Sequence, residues 1–148
     1  MNPERFQALA SRLLHREGKE PESCRTAISR CYYAAFHVAK ELLDPHFTFP
    51  PDATAHKLVR RLLSYADDDE VRRVGRELDN LRELRNDADY RLYLRDVEDR
   101  RAAQHHVNVA AEQIRVIKAI AAGPQWGTIL DQIRRKASLV SPPGSSAP

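Results

Sequence analysis

Apolar residues recur along this chain every three or four positions, the interval that places side chains on one side of an α-helix. Asn2 is a favoured N-cap residue ahead of the first apolar stripe, with Pro3 in the first turn, while Gly18 and Pro21 are typical of a helix end. The stripe itself consists of Phe6, Leu9, Ala10, Leu13 and Leu14. We therefore predict a first helix between Asn2 and Gly18.

The second helix is predicted from about Glu22 to Leu43, and it is apolar on more than one side. A helix with two apolar stripes is buried between neighbours, so this segment is expected at the centre of the fold. Asp44 and Pro45 stop it. The following residues up to Pro51 have no helical period, which indicates a loop.

Three further helices follow from the same pattern. The third is predicted to begin near Asp52, the fourth at the acidic run of residues 67–70, and the fifth at Asp96, ending at Gly123 and Pro124. Acidic residues suit the positive end of the helix dipole, which supports a helix start at the acidic run. Strand signals are almost absent from the chain.

The predicted fold class is therefore all-α, an antiparallel bundle of four to five helices over residues 1–123. An amphipathic segment, Thr128 to Ala137, predicts a short C-terminal helix within residues 124–140. Residues 141–148 are rich in Ser and Pro and are predicted to be a disordered tail.

Composition limits the class of protein further. The 148 residues are 42% hydrophobic, enough for one core, and no apolar run approaches the roughly 20 residues of a membrane helix. The first residues lack the pattern of a signal peptide, so we expect a cytoplasmic protein without membrane contact. Cys24 and Cys31 would lie about 10 Å apart along a helix axis, which is too far for a disulfide, and are expected to be buried free thiols.

Charge and metal-ligand patterns are less specific. The net charge is +3, but residues 100–136 carry seven Lys and Arg against two acids, which fits an RNA track or a solvated surface. No Glu stands three positions before any of the six His, so the di-iron pattern of helical bundles is absent from the sequence. A glycine-rich phosphate loop is absent too. We expect no metal and no cofactor.

The fourth predicted helix contains a candidate binding residue. Its apolar stripe begins at Val71, and the rhythm of three and four places Arg85 where an apolar residue is expected. A guanidinium there needs partners or a polar cleft, and Asp89, four residues on, can pair with it. Two interpretations remain open: a structural Arg–Asp pair, or an arginine held in a groove to bind phosphate.

The second predicted helix has a matching polar face. Arg30, Tyr33 and His37 stand three and four positions apart and therefore share one side of it. They are either amphipathic residues at the edge of the core or residues that line a groove beside Arg85. The spacing alone leaves both interpretations open.

Two segments resemble a known family. Residues 27–39, Ala-Ile-Ser-Arg-Cys-Tyr-Tyr-Ala-Ala-Phe-His-Val-Ala, look like the second-helix signature of HEPN domains, the higher eukaryote and prokaryote nucleotide-binding domains. Residues 84–90, Leu-Arg-Asn-Asp-Ala-Asp-Tyr, look like their later helix motif. His56 and Lys57 also sit where many relatives carry a similar pair. The resemblance covers roughly residues 5–120.

The resemblance implies a helical bundle, usually a dimer, and in many members a metal-independent RNase whose motif pairs an arginine with a later histidine. Arg85 matches the arginine and Asn86 the polar residue that often follows it, but Tyr90 stands where the histidine is expected. Because an unperturbed tyrosine has a pKa of about 10, it is a poor base at neutral pH. The RNase motif is therefore degenerate, and His37 is the candidate proton carrier in its place.

We therefore predict a homodimeric HEPN-type protein that binds RNA or a nucleotide phosphate. The residues expected to act on the phosphate, catalytically if RNA is cleaved, are Arg85, Asn86 and Tyr90, with Arg30, Tyr33, His37 and Asp89 lining the same groove. Relatives often occur with a minimal nucleotidyltransferase, which implies the toxin-like half of a toxin–antitoxin or defence module. The alternatives are an active metal-independent endoribonuclease and a non-catalytic protein-interaction module.

Overall fold

The computed structural model describes residues 1–17 and 20–140. Within this part the chain forms six α-helices and one short 3-10 turn, with no strand. The helices are α1 (Glu4–Glu17), α2 (Pro21–Leu43), α3 (Thr54–Ser64), α4 (Asp69–Tyr90), α5 (Arg100–Ala121) and α6 (Trp126–Val140), and the turn spans Asp96–Glu98. The predicted all-α helical bundle is confirmed. The predicted helix end at Gly18 and the predicted tail over 141–148 lie outside the described residues.

α2 is the central helix, as its two-sided apolar pattern predicted. It packs against α1, α4 and α5. Small residues let these neighbours approach closely, and Ala27, Ala34 and Ala39 are each at most 1% exposed. Larger side chains such as Ile28 fill the remaining space. Fully burying a side chain of that size contributes about 1.5 to 3 kcal/mol, so α2 holds the bundle together.

Polar side chains define the helix starts that position the later elements. Asn2 accepts a hydrogen bond from the backbone N–H of Glu4 at 2.9 Å, which confirms the predicted first cap. Asp68, within the acidic run, accepts from the N–H of Val71 at 3.0 Å and so caps α4. Such caps satisfy N–H groups that have no partner inside the helix.

The predicted start of the fifth helix at Asp96 is wrong. Residues 96–98 form the 3-10 turn, and α5 begins at Arg100 after Asp99 caps it through the N–H of Ala102, at 2.8 Å. The turn exists because the carboxylate of Glu98 binds the buried Arg25 of α2 at 2.8 Å. That ion pair holds residues 96–98 in the 3-10 turn, so α5 begins only after them.

The C-terminal helix lies within the predicted residues 124–140 and is longer than its amphipathic segment, Thr128 to Ala137. Ile129, Leu130 and Ile133 are buried in the common core, and α6 contacts α3. The helix nevertheless continues to Val140, beyond Ala137, since backbone hydrogen bonds extend a helix without requiring burial of its last turn.

Both cysteines lie on α2. Cys24 and Cys31 are both buried and are not joined by a disulfide, as predicted. Burial raises the pKa of the Cys31 thiol to about 12, so this group stays protonated at neutral pH.

In the part of the chain that the structure describes, no helix has both the length and the apolar character to cross a membrane.

Candidate functional site

The last turns of α4 replace the apolar stripe with a polar cluster around Arg85. The preceding stripe residues, such as Leu78 and Leu81, are almost completely buried, whereas the Arg85 side chain is 19% exposed. Its guanidinium carbon lies 5.2 Å from the ring centres of both Tyr33, on α2, and Tyr90, at the end of α4. Two aromatic rings therefore hold the cation, an attractive arrangement because the ring faces carry negative charge.

Hydrogen bonds hold the guanidinium in place without using all of its donors. Nη2 donates to the Tyr33 hydroxyl at 2.5 Å and, at a longer 3.4 Å, to the Tyr90 hydroxyl. Nη1 donates to Oδ1 of Asn86 at 3.1 Å. A guanidinium has five N–H groups, so hydrogen-bonding capacity remains on Arg85. In the described part of the chain its buried Nε has no hydrogen-bond partner.

Asp89 neutralises part of this charge. Its Oδ2 lies 3.0 Å from Nε of Arg85, within ion-pair distance although the two groups are not aligned as a hydrogen bond. The same oxygen accepts a hydrogen bond from the Ser29 hydroxyl on α2 at 3.0 Å. The predicted pairing of Arg85 with Asp89 is confirmed, and Ser29 ties the pair to the central helix.

Arg30 brings a second cation to the cluster. Its guanidinium carbon lies 5.6 Å from the ring centre of Tyr33 and 5.7 Å from that of Phe6. No carboxylate of the described residues forms an ion pair with it. The cluster around Tyr33 thus contains two guanidiniums and one carboxylate, Asp89, and has a net positive charge.

His37 and His56 lie on the other side of this cluster, beside Tyr33. The His37 ring stacks on Tyr33 with the centres 6.2 Å apart, and His56 meets Tyr33 edge-on at 6.3 Å. Both line an open cavity of about 620 Å³. Its principal lining side chains are Tyr33, Phe36, His37, Lys40, Phe49 and His56. The predicted shared face of Arg30, Tyr33 and His37 is confirmed, with His37 reaching the tyrosine rather than the guanidinium.

Both histidines are shifted towards the neutral form. Burial is the main cause that lowers the pKa of His56, and the positive charges of Arg85, His37 and Arg60 lower it further. Burial likewise lowers the pKa of His37. The ring of His56 is fixed by a 2.5 Å hydrogen bond between its Nδ1 and the Tyr32 hydroxyl. At neutral pH both rings are therefore available to accept a proton.

Arg25 is the residue that sequence reasoning missed. It is buried on α2, its Nε donates to Glu98 at 2.9 Å, and it donates to backbone carbonyls at the end of α4 and in the segment after it. These carbonyls belong to Asp87, Ala88, Arg91, Leu92 and Leu94. The signal in the sequence is an arginine among the apolar positions of a helix predicted to be buried.

This arrangement positions the segment that contains Tyr90. A cation at a helix C-terminus interacts favourably with the unpaired carbonyls there, so Arg25 fixes how α4 ends. Immediately beyond, Tyr90, Leu92 and Tyr93 are all strongly exposed. The fold therefore presents three large side chains to solvent where α4 ends, one of which, Tyr90, contacts Arg85.

The basic stretch over residues 100–136 is a partly paired surface. Arg115 forms an ion pair with Glu112, Lys118 with Glu4 and Arg134 with Asp131. These pairs are exposed and contribute little to stability. They do neutralise cations that would otherwise be available to a polyanion.

Comparison with known families identifies the family to which this chain belongs. The chain matches the HEPN domain over residues 4–120, a range that contains every site residue named above, and it belongs to that family. The comparison with curated proteins and the comparison with solved structures each found no match. Membership indicates a function related to nucleotides or RNA, and HEPN domains commonly dimerise.

Proposed function

We propose that this protein binds a phosphate of RNA or of a nucleotide at Arg85, and that it acts as the toxin-like HEPN half of a toxin–antitoxin or defence module. The observation that carries the proposal is the incompletely bonded guanidinium of Arg85 between the rings of Tyr33 and Tyr90. A planar guanidinium matches the geometry of phosphate oxygens better than any other cationic side chain.

Phosphate binding requires only a small rearrangement of this cluster. The bond from Arg85 to the Tyr90 hydroxyl is the longest in the cluster, at 3.4 Å, and Tyr90 is 69% exposed. A phosphate oxygen replaces this bond while the bonds to Tyr33 and Asn86 keep the guanidinium oriented. The displaced Tyr90 ring then offers a face on which a base can stack.

The neighbouring residues have complementary roles in the proposal. The amide of Asn86 supplies N–H donors next to the guanidinium, and Arg30 adds positive charge beside Tyr33. Asp89, held by Ser29, keeps Arg85 in position. Asp89 is therefore a positioning residue.

The exposed side chains beside the site support a homodimer with the motif at its interface. Tyr90, Leu92 and Tyr93 are exposed together on a segment that Arg25 holds in place. Aromatic and apolar side chains of this kind are typical of interface centres. In the proposed dimer two copies of Arg85 lie close together and bind one RNA strand.

The antitoxin partner in this proposal is a minimal nucleotidyltransferase, as the family resemblance implies. Co-expression with the product of the neighbouring gene tests this part separately. Co-purification of a nucleotidyltransferase with the protein supports the module. Growth inhibition by the protein alone, relieved by the partner, is the expected cellular result.

Salt-dependent RNA binding tests the central proposal. Fluorescence anisotropy with a labelled single-stranded RNA compares the wild type, Arg85→Ala and Arg115→Ala, the last removing an exposed cation on α5. Loss of charged hydrogen bonds predicts about ten- to a hundredfold weaker binding for Arg85→Ala, with little change for Arg115→Ala. Equal affinity for all three proteins overturns the proposal and favours the protein-interaction module.

A second candidate function is metal-independent RNA cleavage, because His37 and His56 share a cavity beside Tyr33. One neutral imidazole removes the proton of a ribose 2′-hydroxyl, and the oxygen attacks phosphorus. The bond from phosphorus to the 5′-oxygen breaks, and the second histidine, in its protonated form, donates a proton to that oxygen. The products are a 2′,3′-cyclic phosphate and a 5′-hydroxyl.

Cleavage assays in EDTA test this candidate. Loss of cleavage in Arg85→Ala, His37→Gln and His56→Gln supports it, and the lowered pKa values predict faster cleavage below neutral pH, where the acid form exists. If folded wild-type protein binds RNA without cleaving it, the cleavage candidate fails and only the binding function stands.

A further inference from the structure

A second positively charged surface lies between α3 and α4, away from the motif residues. It is an open groove of about 480 Å³. Its charged lining residues are Lys57, Arg60, Arg61, Arg72, Arg76 and Asp79. Five cations therefore face one carboxylate, a larger excess of positive charge than around Arg85. We call this surface the α3–α4 groove.

Three of these cations are not neutralised. Asp79 binds both Arg60 and Arg82, and Arg72 pairs with Asp69. Lys57, Arg61 and Arg76, in contrast, form no ion pair and no side-chain hydrogen bond with the described residues. The groove thus gathers three cations without an ion pair on one surface.

Close packing of the two helices brings the cations together. Gly75 lies at the contact, and a Cβ atom there would be only 3.1 Å from the Cβ of Leu63. α3 and α4 are joined by residues 65–68 alone, so they run antiparallel. Cations of α3 and of α4 consequently line the two sides of the groove.

α4 contributes to both the α3–α4 groove and the site at Arg85. Asp79, the last α4 residue that lines the groove, stands six residues before Arg85, about 9 Å of helix rise, so the two lie on consecutive parts of one helix. His56 links them, because its backbone carbonyl accepts a hydrogen bond from Nε of Arg60 at 3.4 Å. Arg60, Arg82 and Arg85 all lower the pKa of that histidine, which places it within the field of both cationic groups.

We propose that the α3–α4 groove binds the sugar–phosphate backbone of a single RNA strand whose next phosphate is held at Arg85. This proposal rests on the proposed function and names its substrate as an oligonucleotide rather than a mononucleotide. Cations in a row bind backbone phosphates irrespective of base sequence.

The lining favours a polyanion over an acidic protein surface. Beside the charged residues it contains Ser64 and Gly75, and no large apolar side chain. Protein partners bind through buried aromatic or aliphatic anchors, which this groove does not accommodate. Aromatic rings on which bases can stack lie outside the groove, at Tyr90 and in the histidine cavity.

Binding measurements with matched triple variants test the proposal. The groove variant is Lys57→Gln/Arg61→Gln/Arg76→Gln. The control is Arg12→Gln/Arg16→Gln/Arg101→Gln, which removes the same charge from exposed positions on α1 and at the start of α5. The probes are labelled oligouridylate of about 12 nucleotides and uridine 5′-monophosphate, and thermal unfolding followed by circular dichroism checks that each variant is folded.

The groove variant is expected to bind the oligonucleotide at least tenfold more weakly and uridine monophosphate as well as the wild type does. The slope of log affinity against log salt becomes shallower by about 0.7 for each lost phosphate contact, about 2 in all. The control variant keeps nearly the wild-type slope. Equal losses in the groove and control variants overturn the proposal.

The role of Arg85 is separated by the same experiment. Arg85→Ala weakens binding of both probes if the proposed function is correct. If Arg85→Ala binds normally while the groove variant does not, the proposed function fails and the groove proposal stands. If Arg85→Ala binds both probes weakly while the groove variant binds normally, the groove proposal fails and the proposed function stands. Wild-type protein that binds neither probe overturns both.

Discussion

Arg25 is buried and Arg85 is partly buried near the same end of the bundle, and the two arginines differ in their partners. Arg25 is surrounded by backbone carbonyls and by the carboxylate of Glu98. Arg85 is surrounded by two tyrosine hydroxyls, one amide and Asp89. Their side chains are similarly shielded, at 10% and 19% exposure.

Under the proposed function, the partners of each arginine, more than its burial, distinguish the structural cation from the binding one. Carbonyls of a helix end have fixed positions, so Arg25 cannot release them without loss of structure. The tyrosine hydroxyls near Arg85 belong to side chains, and that of exposed Tyr90 can move aside. The first site therefore stabilises the fold, and the second is free to exchange partners with a ligand.

The largest expected effect comes from Arg25→Ala. It leaves Glu98 and several carbonyls without their cation, which is expected to lower the free energy of unfolding by about 3 kcal/mol. Urea unfolding measures this change. Arg95→Ala is the matched control, because Arg95 also binds Glu98 but is 82% exposed; it is expected to cost less than about 1 kcal/mol. Similar losses in both variants would contradict the structural role of Arg25.

Arg85→Ala is expected to change stability less and binding more. The free energy of unfolding should fall by about 1 kcal/mol, since Asp89 keeps its hydrogen bond from Ser29. RNA affinity should fall as described above. A stability loss as large as that of Arg25→Ala would make Arg85 a second structural arginine and remove the contrast.

The free energy of unfolding is expected to depend on pH through His56, a histidine whose pKa is lowered in part by Arg85. The pKa of this histidine is lowered in the folded state, first by burial and then by Arg85, so the unfolded chain binds more protons than the folded one as the pH falls. Stability is therefore expected to decrease from about pH 7 to pH 5, and less so in His56→Gln.

The same histidine reports on ligand binding at Arg85. A bound phosphate offsets the positive field and raises the pKa of His56. NMR titration of the imidazole with and without uridine monophosphate measures this shift. An unchanged His56 pKa at saturating nucleotide would place the ligand elsewhere.

The smallest expected effects come from removing a tyrosine hydroxyl, and Tyr33→Phe is expected to have the larger of the two. The variant keeps the ring beside Arg85 but removes the hydroxyl that accepts its 2.5 Å hydrogen bond. Loss of one such bond predicts about three- to tenfold weaker RNA binding. Tyr90→Phe removes a longer bond at an exposed residue and should have a smaller effect, measured by the same anisotropy assay. A larger loss of affinity in Tyr90→Phe than in Tyr33→Phe would indicate that Tyr90 orients the guanidinium.

Much of the fold followed from local pattern. The two-sided apolar character of α2, the cap at Asn2 and the interruption of the α4 stripe at Arg85 were all predictable, because each depends on residues one or two helical turns apart. The start of α5 was not, since Arg25 forms its ion pair with Glu98 across 73 residues. The same separation hid the role of Arg25.

The candidate site divides in the same way. Spacing put Arg30, Tyr33 and His37 on one face of α2, and Arg85 within reach of Asp89 on α4. The sequence cannot say which face of α2 meets which turn of α4, and it therefore left open whether Tyr33 reaches Arg85. Packing decides this, because the core must close around Ala35, Leu78 and their neighbours at interior density.

Local hydrogen bonding and apolar periodicity are properties of short segments, so the amino-acid sequence alone specified the helices, the buried centre and an arginine out of place. The charge of a surface depends on which acids lie next to which bases in space. Residues 100–136 have seven basic and two acidic residues, yet Arg115 and Lys118 are paired with acids. Lys57, Arg61 and Arg76 instead line one groove. Only the antiparallel contact of α3 with α4 at Gly75 decided that arrangement.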